Sequence, residues 1–435
     1  MDTSAKKTGY LTPDLAVLNI ANYKGGDAML DSVVITGPFG ETETGTTPSR
    51  EKIFICESGT TSRQDACANQ IITNIAHRAF RRPIKDAELE DMMAMYRQGS
   101  SEAGFDRGIE LALQRILAGP EFLFRIEQPP EDVRPGTVYP ISDLDLATRL
   151  AFFLWSSIPD DELLAIAERK ELRKPGVLEN QVNRMLTDAK AQTFIDNFGE
   201  QWLALRKIDL AAPQKAVFPL FDGALRTAMK QELATWFEFM VKNNKSVLDM
   251  LDADYTFVNE RLARHYGMDG VYGEKFRKVK INRPERAGLL GKPGLLMVTS
   301  FNSRTSPVVR GKWVLENMVD MAPPPPPADA FEPELQVKNE QGRALTMKEA
   351  MIAHRQNPVC ANCHKMMEPI GLALENFDGI GSYRSQYYDA NAEVDSSGIL
   401  FDNTEFADAN GFRDQLLKHS DRFVHTVVLK LMTYA

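Results

Sequence analysis

Cys360-Ala361-Asn362-Cys363-His364, followed by Lys365-Met366-Met367-Glu368-Pro369-Ile370-Gly371, is the stretch on which the reading of the chain turns. Two cysteines three positions apart fall on one face of a helical turn, so both thiols can reach the two vinyl groups of one haem. His364 adjoins the second anchor and can meet the iron as its proximal ligand, which makes this the spacing of covalent c-type haem attachment. A Cys-x-x-Cys knuckle also serves zinc, but a closed zinc site needs a second ligand pair at comparable spacing. The only other cysteines, Cys56 and Cys67, lie far upstream, leaving His354 and His364 to complete a mixed site. A thioredoxin-like pair needs a strand before the motif, whereas His354-Arg355-Gln356-Asn357-Pro358-Val359 reads as a helix end and a turn. Haem therefore ranks above zinc, and zinc above a redox pair or a chance match.

The rest of the chain sets the context. Its 435 residues allow two to four domains, and a hydrophobic fraction of 43% with 26% charged residues is ordinary for a soluble globular protein. No window approaches 18 uninterrupted apolar residues, so no transmembrane segment is expected. A net charge of -9 argues against nucleic acid as a partner, since a basic face supplies most of that affinity. With Cys360 and Cys363 assigned to haem, Cys56 and Cys67 remain as an even pair able to close a short loop as a disulfide. Both features fit a periplasmic, extracellular or cell-surface location. No signal peptide is visible, because Met1-Asp2-Thr3-Ser4-Ala5-Lys6-Lys7 leads into polar sequence without an apolar segment. The apolar run Phe423–Ala435 stops without a cap or breaker. The N-terminus is that of a chain that is not exported or of a mature or trimmed form, and the C-terminus favours trimming.

Periodicity divides the chain into five stretches. Residues 1–55 read as the end of a β domain or a β cap, with strands at Asp31–Gly40 and Lys52–Cys56. Residues 56–130 read as a small helical domain, its first helix carrying Ile71, Ile72, Ile75, Ala76 and Ala79. Residues 131–275 form a larger helical domain with N-caps near Ser142 and Asp160 and helices at Val177–Leu186, Ala191–Leu205 and Asp222–Asn243. Residues 276–345 are a Gly/Pro-rich connecting segment with a helix after Ser306 and a polyproline strap at Pro323–Pro327. Residues 346–435 form the c-type haem domain. The fold class is mainly α: helical bundle domains, a small N-terminal β element and a C-terminal cytochrome c-like domain.

One resemblance is specific. Arg304-Thr305-Ser306-Pro307-Val308-Val309-Arg310-Gly311-Lys312-Trp313, a proline run, the Cys360-x-x-Cys363-His364 block and Met367-Glu368-Pro369-Ile370-Gly371-Leu372-Ala373-Leu374-Glu375-Asn376-Phe377-Asp378 together resemble the planctomycete-type cytochrome c multidomain proteins. The Cys56–Pro83 and Leu144–Trp155 stretches are similar to that family as well, and the Gly-Leu-Ala-Leu-Glu-Asn-Phe-Asp tail also resembles the haem domains of bacterial di-haem peroxidases. The resemblance implies an exported protein of successive domains of unknown function with a haem role and no settled reaction.

The sixth iron ligand decides the chemistry: Met or His closes the iron for electron transfer, and an open position admits peroxide or dioxygen. Met432 and His425, seven apart on the terminal helix with His419 nearby, are candidate distal ligands. Arg304, Arg310 and Arg384 are candidate partners for haem propionates, since guanidinium matches carboxylate geometry. Glu375 and Asp378, three apart on an expected helix, could serve as acid and base, and a capping or solvated role ranks above that. The reading is a c-type cytochrome with haem c for electron transfer to a redox partner protein. Its alternatives are a haem peroxidase or oxidase with an open sixth site, and a binding or scaffold module of an exported polysaccharide-processing assembly.

Overall fold

The computed structural model describes residues 47–56, 61–127, 129–130, 133–134, 136–324, 338–339, 342–354, 358–387 and 390–435. Contacts divide the chain into two units, residues 1–71 and 72–435. In the first, α1 (Pro48–Ile53) begins with Pro48 at its first position, and Thr47 Oγ1 accepts the Arg50 N–H at 3.1 Å. This corrects the strand expected at Lys52–Cys56: Lys52 and Ile53 close a short helix instead. An apolar run that short does not separate strand from helix, and the Thr-Pro cap decides. The other expected strand, Asp31–Gly40, lies outside the described residues, so the N-terminal β element has no counterpart among those described. The Cys56–Cys67 disulfide is formed, with Cα atoms 5.9 Å apart, and joins the chain after α1 to the first half of α2 (Thr61–Phe80).

The second unit takes up the remainder of α2 and folds α3 (Asp86–Ala103), α4 (Phe105–Ala118) and α5 (Pro120–Leu123) after it. The α3–α4 pair turns at Gly104, whose φ of +86° suits a residue without a Cβ. Arg81, almost fully buried, donates from Nη2 to the carbonyls of Glu121 and Phe124 at 2.9 and 3.1 Å and so fastens α5 to the end of α2.

Eight helices build the main body: α6 (Asp143–Trp155), α7 (Asp161–Glu168), α8 (Val177–Thr187), α9 (Gln192–Trp202), α10 (Leu205–Leu210), α11 (Gly223–Lys242), α12 (Asp249–Asp252) and α13 (Glu260–Tyr266). Ser142, Asp160, Asp222 and Asn259 each accept the N–H three residues on, at 3.1, 3.0, 2.7 and 3.0 Å. These are the side-chain caps that short polar residues supply to orphan donors. The single helix expected over Ala191–Leu205 is two, because Ala204 adopts φ 57° between α9 and α10. An antiparallel hairpin without a clear alternation in sequence, β1 (Tyr255–Val258) with β2 (Arg277–Lys280), pairs Tyr255 with Lys280 and Val258 with Arg277.

The chain then adds α14 (Pro293–Val298), α15 (Pro307–Met318), α16 (Met347–His354) and α17 (Pro358–Leu372). Two small antiparallel pairs come next, β3 (Gln386–Tyr387) with β4 (Ala392–Glu393) and β5 (Gly398–Ile399) with β6 (Glu405–Phe406), before α18 (Ala409–Lys418) and α19 (Ser420–Tyr434). Mainly α is therefore the observed class. One hydrophobic core runs from Ala147 to Val427 and includes Trp155, Phe198, Trp236, Leu315, Ile370 and Phe423. Tyr434 closes it from α19, its ring 5.8, 6.1 and 5.5 Å from those of Phe153, Phe194 and Phe198. Most of the proline run Pro323–Pro327 falls outside the described residues.

Candidate functional site

Helix α17 carries the whole motif. Its backbone sets positions 360 and 363 one helical turn apart, with 364 beside the second; the side chains of Cys360 and Cys363 lie outside what the structure describes. His364 Nδ1 and Glu368 Oε1 are 2.7 Å apart, one helical turn along. The histidine is partly exposed at 21% and the carboxylate is wholly buried at 0%. A helix puts residues i and i+4 on one face, so this pair needs no long-range fold to meet.

The placement of α17 depends on its crossing with α15. A Cβ on Gly311 would lie 1.8 Å from the Met367 carbonyl oxygen, and one on Gly371 would lie 1.8 Å from the Pro307 carbonyl oxygen. Pro307 faces Gly371 and Gly311 faces Met367, so the helices cross antiparallel with backbones in contact. Only glycine permits that approach at either position. Met367 is buried beside the crossing, and Met366 packs against the main core.

The turn after α17 is clamped by two buried guanidinium groups. Arg310 Nη1 donates to the carbonyls of Leu374 and Phe377, both at 2.7 Å, and its Nη2 to Asp378 O at 2.8 Å and Ser300 Oγ at 3.0 Å. Arg310 Nη1 also lies 3.9 Å from Glu375 Oε2, with both side chains at 0% exposure. Burial pulls the Arg310 pKa down to about 10. Glu375 accepts from Thr305 Oγ1 at 2.6 Å and pairs with Arg384. Arg286 donates to Gly291 O at 3.2 Å and Gly381 O at 2.9 Å, and stands over the rings of Tyr266 and Phe377. Asp378 Oδ1 accepts the Ile380 and Ser382 N–H groups at 2.9 and 2.8 Å, and burial raises its carboxyl pKa. His265 Nε2 lies 3.0 Å from Ile380 O, and burial lowers the imidazole pKa to about 3, so the ring is neutral and donates.

A second buried cluster centres on Glu232, halfway along α11 and against β1. Glu232 pairs with Thr256, Tyr266 and, at 3.8 Å, Lys292, all within the core. Burial pushes both members of the ion pair toward neutrality: the Glu232 pKa rises and that of Lys292 falls to about 8. These groups fasten α11, β1, α13 and the segment before α14 together.

The sequence-derived candidates thus separate. Arg310 and Arg384 hold Glu375 and the turn after α17, a use that guanidinium chemistry alone does not disclose. Arg304 is partly buried, donates to Thr305 O at 3.1 Å and stands 4.4 Å over the Phe301 ring. Met432 is 72% exposed, and His425 is exposed beside Asp320 at 4.0 Å. His419 bonds to Asp402 Oδ2 at 2.9 Å. Glu375 and Asp378 make their bonds in and around the turn. Glu368 is the residue that sequence reasoning misses; its signal is the His-x-x-x-Glu spacing from His364.

Three family models match in succession. They are described as proteins of unknown function: PSD5 (DUF1595) over residues 67–127, PSD4 (DUF1592) over 141–268 and PSCyt3 (DUF1588) over 286–387. Together they span about two thirds of the chain, and the last covers α15, the motif and the clamped turn. The chain belongs to the planctomycete-type cytochrome c multidomain family. No curated protein and no solved structure matches it significantly.

Proposed function

We propose that the protein is a c-type cytochrome that carries covalent haem for electron transfer in an exported protein. The observation that supports this best is the state of His364. A histidine that ligates iron through Nε2 characteristically donates its Nδ1–H to a carboxylate or carbonyl, which fixes tautomer and ring orientation. His364 has that partner in Glu368, on the helix that bears both cysteines. The donor set fits haem c, with Cys360 and Cys363 as thioether anchors and His364 as proximal ligand. Arg304, Arg310 and Arg384 remain the candidate propionate partners of this reading, Arg310 and Arg384 also pairing with Glu375. When bound, the haem supplies a one-electron iron couple, and the chain's own residues hold and orient it. The Cys56–Cys67 disulfide supports an oxidising periplasmic or extracellular location. A redox partner protein is required by the chemistry, and a polysaccharide-processing assembly is the scaffold alternative.

One observation favours the peroxidase or oxidase reading. Met432 and His425, the candidate distal ligands, both face solvent on α19. An iron with no protein ligand on its sixth side binds small oxidants. Expression in a host that matures c-type haem, followed by a denaturing-gel haem stain and oxidised and reduced absorption spectra, tests both readings. Covalent haem with a six-coordinate low-spin spectrum is the result expected for electron transfer. A high-spin spectrum that shifts with cyanide or peroxide moves the assignment to the enzyme, and absence of covalent haem refutes the cytochrome.

A further inference from the structure

We infer that the outer edge of β2 is a docking site for an extended acidic segment of a partner protein, which adds to the β1–β2 hairpin as a third strand. The inference does not depend on haem, and it goes beyond the reading above by naming the chemistry of a partner. Ile281 N–H donates to Asp254 O at 2.7 Å, in the register that pairs Tyr255 with Lys280 and Phe257 with Lys278. Bonded and non-bonded pairs alternate along an antiparallel ladder, so Arg277 and Val279 bond to β1 while the N–H and C=O groups of Lys278 and Lys280 point away from it. The sheet has two strands, and among the described residues no backbone group bonds to those outward groups. An open edge of this kind is what an added strand pairs with.

The side chains set what such a strand must carry. Lys278 and Lys280 are exposed and share one face of β2, across from Phe257 and Tyr255. The Lys278 ammonium lies 3.9 Å from the centre of the Tyr255 ring and 4.3 Å from that of Phe239, held on aromatic faces with no carboxylate partner among the described residues. Lys280 stands 3.5 Å from Asp254, but the two side chains are 81% and 70% exposed, so solvent keeps that pair weak and exchangeable. Arg277 turns back onto the carbonyls of Tyr272 and Lys275, which leaves the two lysines as the outward cations of the strand. Lysines on an open edge turn unrelated strands away, and the same charges select a strand with carboxylates at positions i and i+2, where its side chains stand beside 278 and 280. Between them, beside half-buried Val279, an apolar residue fits. An extended Glu-Val-Glu is therefore the pattern this edge recognises.

The test titrates the full-length protein into a fluorescein-labelled peptide, Ser-Glu-Val-Glu-Val-Glu-Ser with blocked ends, at low salt and follows fluorescence anisotropy. Saturable binding is expected. It should weaken about tenfold when the glutamates of the peptide become glutamines, and at least as much when the protein carries Lys278→Glu with Lys280→Glu. Two further probes carry N-methyl groups, one on the glutamates and the other on the valines. Only alternate N–H groups of an added strand face β2, so one of these probes is expected to lose binding about tenfold relative to the other. Absence of binding, or equal binding by the glutamine peptide, overturns the inference. Equal binding by the two N-methyl probes refutes strand addition, and competition by polygalacturonate would then make the edge a charge-only site for an anionic polymer. Should the double variant fail to fold by circular dichroism, the peptide probes decide alone, since they leave the protein unaltered.

Discussion

Replacing Gly311 by alanine tests the crossing that positions the motif. The new Cβ would sit 1.8 Å from the Met367 carbonyl oxygen, and ordinary contact begins near 3.4 Å, so α15 and α17 must part by about 1.6 Å. No rotamer change relieves a clash with backbone. Overpacking of this kind costs about 3 kcal/mol, the upper end of the usual range, while alanine gains about 1 kcal/mol over glycine in a helix interior. The net loss is about 2 kcal/mol, and Gly371→Ala, which meets Pro307 O at the same distance, loses the same. The two clashes are relieved by one displacement. The double variant therefore loses no more than either single one, because the second alanine adds its helical preference to helices already apart. Urea unfolding followed by circular dichroism measures all three, with Gly223→Ala as control: nothing lies within 4 Å of its added Cβ, and its midpoint stays unchanged or rises slightly. Stabilisation of G311A by about 1 kcal/mol would falsify the contact, and additive losses in the double variant would refute the shared displacement.

The buried charges and the disulfide give three further outcomes. Arg310→Met removes one buried donor group from Glu375 and from the carbonyls of 374, 377 and 378, so it should cost about 3 kcal/mol and expose the turn at 374–384 to limited proteolysis; Arg310→Lys should not restore resistance, since one ammonium cannot span those acceptors. His265 is held neutral with a pKa lowered to about 3, against about 6.5 unfolded, so the unfolded chain binds the extra proton between those values. Stability is full above about pH 6.5 and falls as the pH drops toward 3, by roughly 5 kcal/mol at most. Urea midpoints across that range should fall more steeply for the wild type than for His265→Gln, and parallel curves contradict the assignment. Removing the disulfide by Cys56→Ser with Cys67→Ser opens a loop of sequence separation 11 and should cost the first unit about 3 kcal/mol, read as faster hydrogen exchange in the first half of α2.

Legibility in the sequence tracks the range of the interactions. Helix starts at Ser142, Asp160, Asp222 and Asn259 are readable because a cap involves a side chain and an amide three residues apart. The break at Ala204 is not, since nothing in Leu203-Ala204-Leu205 marks a left-handed residue that tertiary packing imposes. Lys52–Cys56 misleads for a related reason: four apolar or β-branched residues fit either period, and the deciding signal, Thr47-Pro48, lies just outside the run. The β1–β2 hairpin joins strands of four residues across an intervening helix, beyond the reach of a local pattern.

The candidate site divides along the same line, with one instructive exception. Cys-x-x-Cys-His is a local pattern and can be read at once. Arg310 and Arg384 can be picked out as important cations, yet their partners, Glu375 and the carbonyls of 374, 377 and 378, are recruited across 64 to 68 residues for Arg310 and only 9 for Arg384. A guanidinium that clamps a turn cannot be told in sequence from any other; full burial marks Arg310, because a buried cation requires a fixed anion or carbonyl cage, while Arg384 is marked by its contact with buried Glu375. Glu368 is the exception, a local partner that is still easily overlooked. His-x-x-x-Glu occurs on many solvated helix faces, where it contributes a few tenths of a kcal/mol. It gains chemical meaning here because the contact of α15 with α17 sets Glu368 in the core while its partner His364 stays partly exposed. The same two glycines that fix the helix thus give the histidine its carboxylate, so loosening the crossing should disturb the His364–Glu368 contact as well as the fold.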